Sequence, residues 1–152
     1  MNSDMKIRKV EKMDQIIYYS RGGNTRKVAE AIAEELQVNA TNVNNASIGE
    51  IDNEMVLFLG SGNYGGRPGS KIIEFIKKND FSNMQVALFG TSGGGKGNEL
   101  KLMEEIIELN GATVKGKFYC KGKTFGLINR RNPTAEELNE AKSFAQKMVE
   151  KN

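Results

Sequence analysis

The chain has 152 residues, of which 38% are hydrophobic and 27% are charged, and this is enough apolar sequence for one folded core. Its 22 Lys and Arg residues barely outnumber its 19 Asp and Glu residues, so no basic surface for nucleic acid is predicted. The lack of His and the single Cys, Cys120, exclude His-based catalysis, an intrachain disulfide and a metal site built from His or clustered Cys.

The sequence contains no segment of the roughly 18 apolar residues that a transmembrane helix needs, and its N-terminus lacks the apolar core of a secretion signal. We therefore expect a cytoplasmic protein without a membrane partner. Residues 1–13 are charged and unpatterned, which predicts an N-terminal extension, either a mobile tail or a continuation of the first strand. Residues 14–152 are expected to form a single domain.

Short apolar runs predict β-strands at residues 14–19, 55–59, 85–89 and 114–120, and a weaker run predicts another at residues 38–43. Because these runs are nearly continuous rather than alternating, we expect strands that are covered on both faces.

Amphipathic patterns predict helices at residues 25–36, 70–78, 98–109 and 134–151. The last helix begins with a capping box, in which Thr134 and Glu137 exchange hydrogen bonds. Alternating strands and helices are typical of an α/β domain with a parallel sheet. Such sheets bind ligands beyond the carboxyl ends of their strands.

Most of the 17 glycines fall into three clusters, and each cluster directly follows a predicted strand. We call the segments that contain them the first loop (residues 20–25), the second loop (residues 60–69) and the third loop (residues 90–97). Since the carboxyl ends of parallel strands lie at one edge of a sheet, the three loops are predicted to form a binding site there.

The first loop has the composition of a phosphate site. Gly22 and Gly23 allow backbone amides to converge, while Ser20, Asn24 and Thr25 add polar side chains at the positive end of a helix. The alternative is an ordinary turn from strand to helix, with Asn24 or Thr25 as the helix cap.

The second loop imitates a dinucleotide fingerprint through Gly60, Gly62 and Gly65. We reject that interpretation because Pro68 postpones the helix beyond the motif. A wall for a planar ligand fits better, with Tyr64 as a stacking face. The alternative is that Tyr64 packs on the base of its own loop.

The third loop imitates a Walker A motif through Gly95 and Lys96, but Gly97 stands where the Mg²⁺-binding hydroxyl is required. Nucleotide hydrolysis is therefore rejected. The remaining interpretation is a loop of backbone donors that hydrogen-bond the polar edge of a ring.

The three loops, in this order, resemble those of the flavodoxin family. Residues 18–29 are similar to its phosphate loop and first helix, residues 60–62 to its second flavin loop, and residues 91–94 to its third. The resemblance implies a doubly wound five-stranded parallel sheet of order 2-1-3-4-5, with helices on both faces. It also implies a noncovalently bound FMN.

By this resemblance, the phosphate lies on the first loop and the isoalloxazine ring between the second and third loops. A glycine peptide in the second loop, Gly62-Asn63 or Gly65-Gly66, is expected to follow the protonation of the flavin. No catalytic side chain is implied. The implied FMN-binding residues are Ser20, Arg21, Gly22, Gly23, Asn24, Thr25, Ser61, Gly62, Asn63, Tyr64, Gly65, Thr91, Ser92, Gly93 and Gly94.

The chain departs from the usual family pattern in three ways. Gly22 stands where the phosphate loop usually has Thr, the third loop has no aromatic residue, and the net charge is +3 rather than strongly negative. Arg21, Arg67 and Lys96 lie in the loops, where they face either the flavin or water.

The resemblance favours an electron carrier over an enzyme with its own substrate. One alternative is an FMN-dependent NAD(P)H oxidoreductase of the quinone or flavin reductase type. The other is a flavodoxin-scaffold binding module with weak or lost FMN binding. For the carrier we expect an acidic redox partner protein and a monomer or weak dimer. Residues 121–133 are expected to cover the flavin, to dock that partner, or to be an ordinary surface connection.

Overall fold

The computed structural model describes residues 13–48, 54–94, 96–121 and 132–150. Its strands are β1 (Gln15–Tyr19), β2 (Ala40–Asn42), β3 (Val56–Gly62), β4 (Gln85–Ser92) and β5 (Thr113–Lys121). Its helices are α1 (Asn24–Leu36), α2 (Ser70–Lys78), α3 (Asn98–Leu109) and α4 (Ala135–Val149), and a 3₁₀ turn spans Val43–Asn45. Within these ranges, no helix is long and apolar enough to cross a membrane.

Two predicted segments lie mostly outside the described residues. They are the N-terminal extension, at residues 1–12, and the connection before the last helix, at residues 122–131.

All five strands are parallel and lie in the order β2-β1-β3-β4-β5, as predicted. The chain first builds outward from β1 to β2 and then continues on the other side of β1 with β3. The strand order therefore reverses between β1 and β3, which is where doubly wound sheets open a crevice for ligands. At this edge Tyr19 pairs with Ser61, and Ser61 pairs with Gly90.

Helices cover both faces of the sheet and create two apolar cores. Leu57, Leu59 and Leu88 face α2 and α3, whereas Phe58 and Phe89 face α1 and α4. Burial on both faces explains why β3 and β4 are continuous apolar runs. The expectation of two covered faces is wrong for β5, where exposed and less exposed residues alternate, so that one of its faces is left uncovered.

The central strands continue further than their apolar side chains indicate. β3 and β4 extend through Gly62 and Ser92, since backbone pairing does not require apolar side chains. Gly60 lies against the ring of Phe89, where a Cβ atom would come within 2.0 Å of that ring. In contrast, β2 is shorter than predicted because the chain turns into the 3₁₀ segment at Val43.

The capping box of α4 is confirmed in both directions. The backbone N–H of Glu137 donates to Thr134 Oγ1 at 3.1 Å, and the backbone N–H of Thr134 donates to Glu137 Oε1 at 2.9 Å. Two N–H groups at the start of the helix thus obtain acceptors that the helix itself cannot supply.

We expect Thr134→Ala to lower the free energy of unfolding by about 0.5–2 kcal/mol, because the N3 amide loses its acceptor. Urea unfolding followed by circular dichroism measures the loss. Thr134→Ser keeps the hydroxyl and is expected to stay close to the wild type. Equal losses for the two variants would contradict a role for the cap.

Candidate functional site

The first, second and third loops meet at the carboxyl edge of the sheet, because they follow the adjacent parallel strands β1, β3 and β4. Between them lies a cleft of about 170 Å³. Every residue that lines it was predicted as a site residue: Ser20, Gly22, Asn24, Thr25, Gly62, Asn63, Tyr64, Thr91, Ser92 and Gly93.

The other predicted site residues lie around this cleft rather than in its wall. Arg21 and Gly23 line a neighbouring cleft of about 220 Å³ on the other side of the first loop. Ser61 is buried at the base of the second loop, where its hydroxyl donates to the carbonyl of Gly62 and accepts from the N–H of Gly69, both at 2.9 Å. Gly65 and Gly94 are exposed and line neither cleft.

The first loop leaves the start of α1 without a side-chain cap. The N-cap residue is Gly23, with φ 92°, so the interpretation in which Asn24 or Thr25 caps the helix is wrong. The N–H of Gly23 donates to Ser20 Oγ at 2.9 Å and closes the loop. Because first-turn amides have no acceptor within their own helix, this end of α1 suits an anion.

Thr25 is only 1% exposed, and its hydroxyl joins the first loop to the third. Thr25 Oγ1 lies 2.8 Å from Thr91 Oγ1, and Thr91 is also buried. This hydroxyl pair holds the start of α1 against the end of β4. Thr25 is therefore a structural link between the two loops as well as part of the cleft wall.

Tyr64 reaches across the cleft to the first loop, which neither sequence interpretation anticipated. The backbone N–H of Arg21 donates to Tyr64 Oη at 3.1 Å, and the Arg21 guanidinium carbon lies 4.5 Å from the centre of the Tyr64 ring. Tyr19 meets the same ring edge-on at 5.8 Å. Gly62 makes room for this arrangement, since a Cβ there would lie 2.7 Å from Tyr64 Oη.

Beyond Tyr64 the second loop forms a tight turn. The N–H of Tyr64 donates to the carbonyl of Arg67 at 2.7 Å, and Gly65 and Gly66 adopt positive φ angles of 67° and 86°. Such angles favour glycine. Asn63 holds the turn, because its Oδ1 accepts from the N–H of Gly66 at 2.7 Å.

The sequence interpretation missed two charged residues at the site. Arg26 lines the cleft of about 220 Å³ beside the first loop. Its position directly after that loop could have predicted that it belongs to the site. Glu99 is fully buried, and its Oε1 accepts from Asn63 Nδ2 at 3.2 Å. In sequence Glu99 is an ordinary acidic residue in a first helical turn, so nothing local indicates its burial. Arg67 and Lys96 are exposed.

These features define a doubly wound α/β protein with a polar cleft at its switch point. The sequence profile described as "Flavodoxin domain" matches residues 15–151. The chain belongs to the flavodoxin family. It is 36% identical to the flavodoxin of Clostridium beijerinckii over 109 residues, which is 66% of this chain and 79% of that protein. It is also 30% identical to an uncharacterized protein of Methanocaldococcus jannaschii over 135 residues, which is 83% of this chain and 90% of that protein.

Solved structures share the fold. A flavodoxin from the domain Archaea superposes with a TM-score of 0.72 at 21% identity, covering 90% of this chain and 96% of that one. Oxidised Flavodoxin 1 from Bacillus cereus superposes with a TM-score of 0.67 at 16% identity, covering 91% and 97%.

We expect Thr25→Val to lower the free energy of unfolding by about 1–3 kcal/mol, because it leaves the buried hydroxyl of Thr91 without a partner. Thr91→Val is expected to cause a similar loss. The double variant removes both polar groups and should lose less than the sum of the single variants. Urea unfolding of the four proteins measures this coupling, and strictly additive losses would contradict the hydroxyl pair.

Proposed function

We propose that this protein binds FMN noncovalently at the cleft between the three loops and acts as an electron carrier. The observation that carries the proposal is the convergence of all three loops around one cleft beside an α1 N-terminus that no side chain caps. FMN would supply the isoalloxazine ring that accepts and releases electrons, so the protein itself supplies binding, orientation and electrostatics.

The first loop supports the phosphate end of the proposed site. Its backbone amides, the positive end of α1 and the hydroxyl of Ser20 form a neutral donor set. Arg21 and Arg26 add positive charge in the neighbouring cleft. A Cβ at Gly22 would meet no atom within 4 Å, so there is open space above the loop for a ligand.

The second and third loops support the ring end of the proposed site. Gly62, Asn63 and Tyr64 form one wall, and Thr91 to Gly93 form the other. The cleft of about 170 Å³ is smaller than the roughly 300 Å³ of common ligand pockets. The contact between Tyr64 and the N–H of Arg21 occupies part of this space, and movement of Tyr64 away from the first loop would free that N–H for a phosphate.

The charge of the chain supports an acidic partner for the proposed carrier. The net charge is +3, and Arg21, Arg67 and Lys96 are exposed on the three loops that surround the cleft. Positive charge around a binding edge attracts negatively charged surfaces and speeds their association at low salt.

One observation favours a second candidate, a flavodoxin-scaffold module with weak or lost FMN binding. The contact between Tyr64 and Arg21 fills part of the cleft and uses an amide of the first loop. Breaking this contact opposes ligand binding, and Gly22 supplies no hydroxyl to compensate.

We expect FMN fluorescence to be quenched on titration with the apo-protein, whereas riboflavin, which lacks the phosphate, should bind much more weakly. Discrimination between the two ligands is the evidence for a phosphate anchor. If neither ligand binds, the electron-carrier proposal is wrong and the second candidate is favoured.

We expect Gly22→Thr to tighten FMN binding about ten- to a hundredfold, because a hydroxyl donor to a charged phosphate is gained where the structure has open space. Gly22→Val is the matched control, since it has the same shape without the hydroxyl. Dissociation constants for FMN measure the effect. Equal affinities for the Thr and Val variants would show that a hydroxyl at position 22 does not contact the phosphate.

A further inference from the structure

A buried carboxyl group lies beneath the second loop. Glu99, in the first turn of α3, is 0% exposed, and its Oε1 accepts from Asn63 Nδ2 at 3.2 Å. Its Oε2 is buried and has no hydrogen-bond partner among the described residues. Burying an oxygen without a hydrogen-bond partner lowers stability, because its hydrogen bonds to water are lost. A carboxyl group at this position therefore needs an explanation.

The fold makes room for this carboxyl group. A Cβ at Gly90 would lie 2.0 Å from Glu99 Oε2, so the carboxyl group occupies the space that a side chain would take at this point of β4. From there a chain of contacts leads outward. Glu99 holds the side chain of Asn63, and Asn63 Oδ1 in turn accepts from the N–H of Gly66 at 2.7 Å. The core is thereby connected to the glycine turn of the second loop.

We propose that Glu99 is a positioning residue that acts through Asn63 on the second loop, and that its protonation loosens the turn at Gly66. The carboxylate form accepts a charge-assisted hydrogen bond from Asn63, which is stronger than the bond to a neutral carboxyl group. As the pH falls and Glu99 takes up a proton, that bond weakens and Asn63 holds Gly66 less firmly.

The surroundings of Glu99 favour titration above the usual range for a glutamate. Burial raises the pKa of Glu99, and the hydrogen bonds from its own backbone and from Asn63 oppose this rise only in part. Among the described residues, no Lys or Arg forms an ion pair with it. Cys120 on β5 interacts with it electrostatically, but burial raises the pKa of this thiol to about 12, so it stays neutral while Glu99 titrates.

Protonation of Glu99 loosens the turn at Gly66, but it favours the folded state of the protein as a whole. The folded protein binds this proton more readily than the unfolded chain, so the contribution of Glu99 to stability is present at low pH and is lost as the pH rises through its folded pKa. Glu99→Gln keeps a neutral side chain with an acceptor oxygen and is therefore expected to fold.

The test uses the full apo-protein, and amide signals are recorded by ¹⁵N NMR over a pH series. We expect the Gly66 backbone N–H and the Asn63 side-chain amide to shift with one shared midpoint above the ordinary glutamate range. Both shifts should vanish in Glu99→Gln. Glu105→Gln, which removes an exposed carboxylate from the same helix, is the matched control and should leave the midpoint unchanged.

A second variant keeps the test decisive if Glu99→Gln does not fold. Asn63→Ala removes a bond that stabilises the carboxylate, so the midpoint of the Glu99 side-chain carbon signal should move upward. The inference is overturned if Gly66 does not titrate in the wild type, if its titration persists in Glu99→Gln, or if Asn63→Ala leaves the Glu99 midpoint in place.

The consequence for the ligand rests on the proposed function. Since Asn63 lines the cleft, FMN affinity is expected to change about fivefold across the Glu99 titration, and this change should disappear in Glu99→Gln. The apo-protein measurement does not depend on FMN. A protein that binds no FMN but whose Gly66 titrates disproves the proposed function alone, whereas tight FMN binding with a silent Gly66 disproves the inference alone.

Discussion

The parallel pairing of β1, β3 and β4 is the constraint on which the rest of this protein depends. Parallel strands bring all their carboxyl ends to one edge, and helices cover both faces of the central strands of this sheet. The polar residues of the three loops therefore lie at that edge, beyond the two apolar cores. The strand register places Tyr19, Ser61 and Gly90 side by side at this edge. The three glycine-rich loops lie there as well.

The buried polar residues of the described chain are concentrated around the same edge. Thr25 and Thr91 satisfy each other, and Ser61 supports the second loop. Glu99 is the exception, because one of its oxygens has no partner within the described residues. Buried polar groups are expensive unless they are hydrogen-bonded, so their clustering marks the part of the fold where packing alone does not determine the structure.

Much of the fold could be predicted because its signals are local. The apolar runs located β1, β3 and β4, and the helical periodicity located the four helices of the described residues. The capping box at Thr134 was also readable, since its two partners are only three residues apart. The errors fell where neighbouring elements decide the outcome. The central strands continue into glycine because the adjacent strands pair with them, and exposure alternates along β5 because one of its faces is left uncovered.

By itself, the sequence determined the fold class, the family resemblance and the three loops that form the cleft, because these depend on hydrophobic period and on small residues at strand ends. Only the tertiary structure decided that Tyr64 contacts Arg21, that Thr25 pairs with Thr91, and that Glu99 is buried against Asn63. Each of these contacts joins residues that are 36 or more positions apart. No local pattern encodes such a contact, because it exists only after the parallel sheet has brought the loops to one edge.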